Sequence, residues 1–161
     1  KIEEIICLHI DKQIEAGVNI IQIFDSWAGL LPKKELPNYC YIPILKIVEY
    51  IKLKKTPVIC FPKGIGENYV DFCSTVKPDC ISIDHEVNPL WIKEKVNGIP
   101  VQGGLDPKIL LGNQEEIKKN IEKYLNIFKD YPYIFNLGHG VLPDTKPEII
   151  EYIINIIRDK K

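Results

Sequence analysis

Five short apolar runs rich in β-branched residues, each followed by a polar exit loop and an amphipathic stretch, constrain this fold more than any other feature. The runs cover residues 18–24, 57–61, 81–84, 99–103 and 133–137, and read as buried strands. A helix precedes the first, with Ile2, Ile5, Ile6, His9, Ile10 and Ile14 on one stripe and Gly17 as its stop. Further helices are expected over 41–54, 68–76, from Pro89 to Gly98, over 114–128 and over 147–158, with a short turn at 107–111 capped by Asp106. Repeated strand, loop, helix order demands parallel strands joined by helical crossovers.

Two architectures meet that demand: an open doubly wound sheet or part of a (β/α)8 barrel. A doubly wound nucleotide fold wants a glycine-rich fingerprint after its first strand, but the loop there is Asp25, Ser26, Trp27, Ala28, Gly29. Lys63, Gly64, Ile65 and Gly66 contain GxG without the third glycine and read as a flexible loop. Polar residues follow every strand instead: Asp25 and Ser26, Lys63, Asp84 and His85, Asp106, and His139. A barrel gathers such exits at one mouth, so the expected fold is α/β, a partial (β/α)8 TIM barrel of five consecutive parallel strand-helix units within a single domain spanning 1–161.

Charge excludes some partners. With 21 Lys plus Arg against 22 Asp plus Glu, the net charge of -1 suggests neither nucleic acid nor an anionic membrane. No run approaches the roughly 20 apolar residues that span a bilayer, and no signal peptide is recognisable. Arg158 is the only arginine, so a polyanionic ligand would find no guanidinium forks among the strand exits. Cys7, Cys40, Cys60, Cys73 and Cys80 are scattered and in apolar settings, which reads as reduced, buried thiols of a cytoplasmic protein. Lys1 already stands inside a helical pattern, and the start reads as a boundary within a longer chain.

The stretch 133–145, YIFNLGHGVLPDT, has the strongest functional character: a strand delivers His139 into a loop between two glycines that cannot shield it. The residues alone leave open an ordinary loop histidine in a tight turn. Asp25 and Ser26 can point into a cleft or cap the following turn. His85 reads as a solvated loop residue, Gly103 and Gly104 as close backbone packing, and Trp27 and Trp91 as packing residues.

Three segments carry a family resemblance. NLGHGVLPDT (136–145) is very similar to the C-terminal signature of uroporphyrinogen decarboxylases, and IQIFDSWAGLL (21–31) and PVQGGLDPKILLG (100–112) resemble the same family in the same order. Members run to roughly twice this length, so the resemblance covers their C-terminal half. It implies a (β/α)8 barrel, removal of carbon dioxide from the four acetate arms of uroporphyrinogen III to give coproporphyrinogen III in haem biosynthesis, no metal or organic cofactor, and a homodimer. The matching residues bind substrate: Ser26 would hydrogen-bond a carboxylate arm of the tetrapyrrole, and His139 would contact the bound porphyrinogen. No catalytic residue is expected within the 161 residues, because the aspartate that holds the pyrrole nitrogens, the gripping arginines and a cleft tyrosine fall in the other half. Isolated, these residues are expected to be inactive. This chain departs from the family at His85, where tryptophan is usual, and at Gly104, where asparagine is usual, and the roles of Asp84, His85 and Lys63 stay open. Two other classes compete: a zinc-dependent corrinoid methyltransferase on the same barrel, and a non-catalytic scaffold.

Overall fold

The computed structural model describes residues 1–96 and 98–159. The elements alternate as α1 (Ile2–Glu15), β1 (Ile21–Asp25), α2 (Ile42–Leu53), β2 (Val58–Pro62), α3 (Tyr69–Val76), β3 (Cys80–Ile83), α4 (Pro89–Lys95), β4 (Val101–Gly103), α5 (Gln114–Ile127), β5 (Tyr133–Ile134) and α6 (Pro147–Arg158). The five strands form one sheet in the order β1-β2-β3-β4-β5, and every pair is parallel. Such an order, without a switch point, is a segment of barrel wall. The fold is the expected partial barrel.

Strand limits differ from the apolar runs wherever a ladder partner is lacking. β1 begins at Ile21 rather than Val18, because pairing starts where the Ile21 N–H donates to the Pro57 carbonyl at the head of the neighbouring strand. β4 begins at Val101: Pro100 has no N–H, and the Ile99 N–H is turned back to the Val96 carbonyl. β5 keeps only two ladder residues, after which positive φ at Gly103 and Gly104 interrupts β4 until a single parallel bridge from Leu105 to Leu137 restores the same register. A fully buried fifth strand was expected, yet Ile134 is exposed, since β5 is an edge. The fourth helix ends at Lys95, short of Gly98, and Asn97 lies outside the described residues.

Register assigns the faces. Ile21, Val58, Cys60, Ile81, Ile83 and Val101 point into one core with Ile47, Val48, Ile51, Tyr69, Phe72, Ile92, Ile117 and Ile121 of the helices. Burying a side chain such as Phe72 or Ile83 contributes roughly 1.5–3 kcal/mol. The alternate positions, Phe24, Ile59, Phe61, Ser82, Gln102 and Ile134, line the helix-free face. At its centre Phe61, Ser82 and Gln102 are 3–4 % exposed, whereas at its edges Phe24 and Ile134 are 66 % and 43 % exposed. A flat sheet would expose all of them; this sheet curls over its own centre. The Gln102 amide donates to the Ser82 hydroxyl at 3.3 Å inside that hollow.

On α1 only Ile10 is buried, and Ile2, Ile5 and Ile6 of its apolar stripe remain exposed, as does Leu8 beside it. Trp27 departs from its expected packing role at 74 % exposure, because it stands on the loop after β1, whereas Trp91 on α4 packs against the core as expected. Cys40, Cys60, Cys73 and Cys80 are buried thiols, and burial pushes Cys40, Cys73 and Cys80 up to about 12; Cys7 on α1 is only partly covered.

The strand exits are tied together by Asp84, which follows β3 and is 1 % exposed. Its carboxylate accepts from the Tyr69 hydroxyl at 2.8 Å, the Gly64 N–H at 2.8 Å and the Glu86 N–H at 3.0 Å. Tyr69→Phe removes one donor to the carboxylate and the acceptor of the Asp84 N–H at 3.3 Å, so it is expected to cost about 1–2 kcal/mol, whereas Asp84→Ala strands three donors and is expected to cost about 3–5 kcal/mol. Urea unfolding of the two variants measures the difference; equal losses would mean that Asp84 is not the hub of these bonds.

Candidate active site at the strand exits

Each candidate side chain is placed by the end of a parallel strand. Asp25 and Ser26 leave β1, and the structure separates their roles. The Asp25 carboxylate accepts the Trp27 N–H at 3.3 Å and also contacts the buried Cys40 thiol, so it caps the turn and faces the core. Ser26, of opposite parity, lines a cavity of about 240 Å³ with Trp27, Gly29, Leu30, Lys63, Gly64 and Glu86.

Lys63 leaves β2 with its backbone held on both sides: its N–H donates to the Asp25 carbonyl at 3.0 Å, and its carbonyl accepts from the Gly29 N–H at 2.9 Å. This junction requires glycine, because a Cβ on Gly29 would lie 2.5 Å from the Gly64 carbonyl oxygen. The expectation of a flexible loop here is therefore corrected. The GxG is also no open phosphate cradle, since the Gly64 N–H is already bonded to Asp84.

His139 follows β5 on an exposed loop beside Phe61, ring centroids 6.3 Å apart, and Phe61 meets Phe24 edge-on at 5.9 Å. An aromatic row thus runs along the helix-free face from β1 to the His139 loop. Gly138 makes this possible: a Cβ there would sit 2.5 Å from the His85 backbone nitrogen, so only glycine lets the β5 exit lie against the β3 exit. The Gly138 N–H donates to the Leu105 carbonyl at 2.7 Å and closes the loop onto β4. Partial burial, then the Lys63 ammonium, then His85 hold His139 below the ordinary histidine range, which favours a neutral imidazole able to donate a hydrogen bond.

His85 is not the solvated residue expected from its loop. Its side chain is 25 % exposed, its Nδ1 is buried without a partner, and its Nε2 lies 4.0 Å from the Asp106 carboxylate. Covered by the Gly138 loop, it stands between β3 and β4 exits, while Asp106 also caps the next turn by accepting the Lys108 N–H at 2.9 Å. Burial pushes the Tyr124 hydroxyl up to about 12, and it donates to the Gly104 carbonyl at 2.6 Å behind the same rim.

The sequence-derived pair Ser26 and His139 is therefore linked through Lys63, which shares a cavity with the first and an electrostatic influence with the second. Lys63, Glu86 and the Phe24–Phe61 row are the parts that sequence reasoning left unassigned; period-two parity along the strands would have found the two phenylalanines. A cavity of about 700 Å³ lies elsewhere, between α5, β5 and α6, lined by Leu125, Phe128, Tyr131 and Tyr133. It is an apolar groove along the open sheet edge and brings no candidate residue together. Among the described residues, no three His, Cys, Asp or Glu side chains are grouped to hold a metal ion, and no helix is long and apolar enough to cross a membrane.

Parallel strands in sequence order, helical crossovers and a polar mouth at the strand ends define part of a (β/α)-barrel, with its candidate site on the exit loops. The chain belongs to the uroporphyrinogen decarboxylase (URO-D) family, whose model matches residues 1–160. It is similar to the uroporphyrinogen decarboxylase of Rickettsia bellii, 45 % identical over 153 residues, covering 94 % of this chain and 45 % of that protein. Relatives of the same name from Wolbachia pipientis, 40 % identical over 98 % of this chain, and Cereibacter sphaeroides, 38 % identical over 94 %, are covered over 47 % and 46 % of their lengths. The chain thus spans about half the length of the curated relatives it matches.

Because the His139 imidazole is held below the ordinary histidine range, the folded state binds fewer protons than the unfolded chain as pH falls from that ordinary range to the lowered folded value, and this group lowers stability across that window. An NMR titration of His139 is expected to show a midpoint below that of a histidine in the unfolded chain, and Lys63→Gln should raise it. An unchanged midpoint in that variant would separate the two side chains.

Proposed function

We propose that this chain forms part of the barrel of a uroporphyrinogen decarboxylase, a lyase that removes carbon dioxide from the acetate arms of uroporphyrinogen to give coproporphyrinogen. The observation that carries the reading is the NLGHG loop, which puts His139 at the carboxyl-terminal ends of the strands, where Ser26 also lies, in a chain matched to the family over residues 1–160. In this reading residues 1–161 are the C-terminal part of one barrel domain. Ser26 and His139 bind substrate: the hydroxyl donates to a carboxylate arm, and the neutral imidazole donates to the porphyrinogen or its carboxylates. The Phe24–Phe61 row offers the macrocycle an apolar wall.

Decarboxylation leaves an electron pair that must be accepted. Protonating the pyrrole beside its nitrogen makes the ring itself the acceptor, and a fixed carboxylate stabilises the positive charge that develops. The resemblance assigns that carboxylate, the gripping arginines and a cleft tyrosine to the half of the family that this chain does not span; its only arginine, Arg158, lies at the far end of α6. The 161 residues alone are therefore inactive. Exposed apolar side chains on α1 and at both sheet edges support further barrel wall in the working protein. We further propose a cytoplasmic homodimer without metal or organic cofactor. The unpaired cysteines support a reducing compartment. The family match gives no support to the zinc methyltransferase or scaffold alternatives.

The experiment uses the full-length protein that contains this sequence. His139→Asn keeps a donor but loses reach and is expected to reduce turnover by about 10²-fold, the low end for a group in a catalytic site. Ser26→Ala is expected to act on affinity or on the later decarboxylations, so partially decarboxylated intermediates should accumulate. Circular dichroism checks folding, and chromatography of the porphyrins follows the arms; wild-type rates and patterns in both variants would remove these residues from the site. Separately, the purified 161-residue chain is expected to form no coproporphyrinogen, and measurable product would overturn that part of the reading.

A further inference from the structure

We infer that Lys63 is an anion-binding residue of this mouth, receiving a ligand carboxylate in the cavity it shares with Ser26. The inference rests on the proposed use of the mouth by a polycarboxylate and adds a residue that the family resemblance leaves without a role.

Three observations carry it. Lys63 is only partly exposed, yet among the described residues no carboxylate lies within 4.0 Å of its ammonium group, although Lys12, Lys46, Lys52, Lys54 and Lys95 all have such partners. A lysine that lines a cavity without a carboxylate partner leaves its positive charge available to a ligand anion. Second, its backbone is bonded to Asp25 and Gly29 and its neighbour Gly64 to Asp84, so the side chain springs from a fixed point and binding need not order the loop. Third, Ser26 and Lys63 line the same cavity of about 240 Å³, so a neutral donor and a cation are both available there to the two oxygens of one carboxylate. The influence of Lys63 on His139 extends the positive field toward the β5 exit. Glu86, exposed on the same cavity, opposes an incoming anion and sets a second, independent handle.

The test compares wild type, Lys63→Gln, Lys63→Arg and Glu86→Gln in the full-length protein by uroporphyrinogen kinetics and by calorimetric binding of benzene-1,2,4,5-tetracarboxylate. A charge holding a substrate arm acts before and during the reaction, so Lys63→Gln is expected to raise KM roughly 10- to 100-fold with a smaller change in kcat. Lys63→Arg should restore most of the affinity, and Glu86→Gln should lower KM a few-fold; a variant that merely misfolds would not be rescued by arginine. An active wild type with an unchanged KM in Lys63→Gln overturns the assignment while leaving the decarboxylase reading intact. A wild type without turnover that binds the tetracarboxylate through Lys63 overturns the decarboxylase reading and leaves the anion site standing. Loss of affinity in both Lys63 variants with no effect of Glu86→Gln counts against it, since a charge effect must answer to both signs.

Discussion

A single buried carboxylate holds the strand-exit face of this molecule in register. Asp84 leaves the central strand at the point where its chain must turn, and a carboxylate removed from water needs strong donors in place of solvent. Tyr69 reaches it from α3, Gly64 from the β2 exit and Glu86 from its own loop. A helix and two exit loops are thereby fixed to one strand end. Lys63 precedes one of those donors, and His85 lies between Asp84 and the other. The positions of Lys63 and His85 thus follow from the hydrogen bonds of a carboxylate that is itself buried.

Close backbone approach completes the mouth. The β1 exit meets the β2 exit at Gly29 and Gly64, and the β5 exit meets the β3 exit at Gly138 and His85, each at a spacing where one added carbon would collide with main chain. Loops that are short, mutually bonded and packed without side chains between them have little freedom to adapt. A ligand bound here meets donors already in place, and less of its binding energy goes into ordering the site. The use of lysine rather than arginine at this mouth has a physical meaning as well. An ammonium on a flexible stem provides attraction with little orientational demand, whereas a guanidinium fork imposes planar, bidentate geometry.

The polar residues after each strand were visible in the order of the chain, but their division of labour was not. Asp25 and Ser26 are neighbours with similar chemistry, and only the parity of β1 at its last residue sends one toward Cys40 and the other toward the cavity. His85 looked like a solvent residue because nothing in its neighbourhood of sequence covers it; the cover is supplied by Gly138, a residue of the fifth strand's loop. Trp27 erred in the opposite direction, since apolar neighbours in sequence did not prevent it from standing outward on a turn.

Periodicity and β-branched composition determined that this chain would form parallel strands with helical crossovers, because those signals act over a few residues and the crossover rule leaves few topologies. Wording around His139 and Ser26 determined the family in the same local way. Ladder length, the curl that buries Ser82 and Gln102 on a face without helices, the pinned Lys63 and the coupling of Lys63 to His139 were decided only in three dimensions. Each depends on pairs such as Ile21 with Pro57 or Gly138 with His85, in which either partner alone is silent, and no pattern within one segment encodes a contact whose geometry is set by the other.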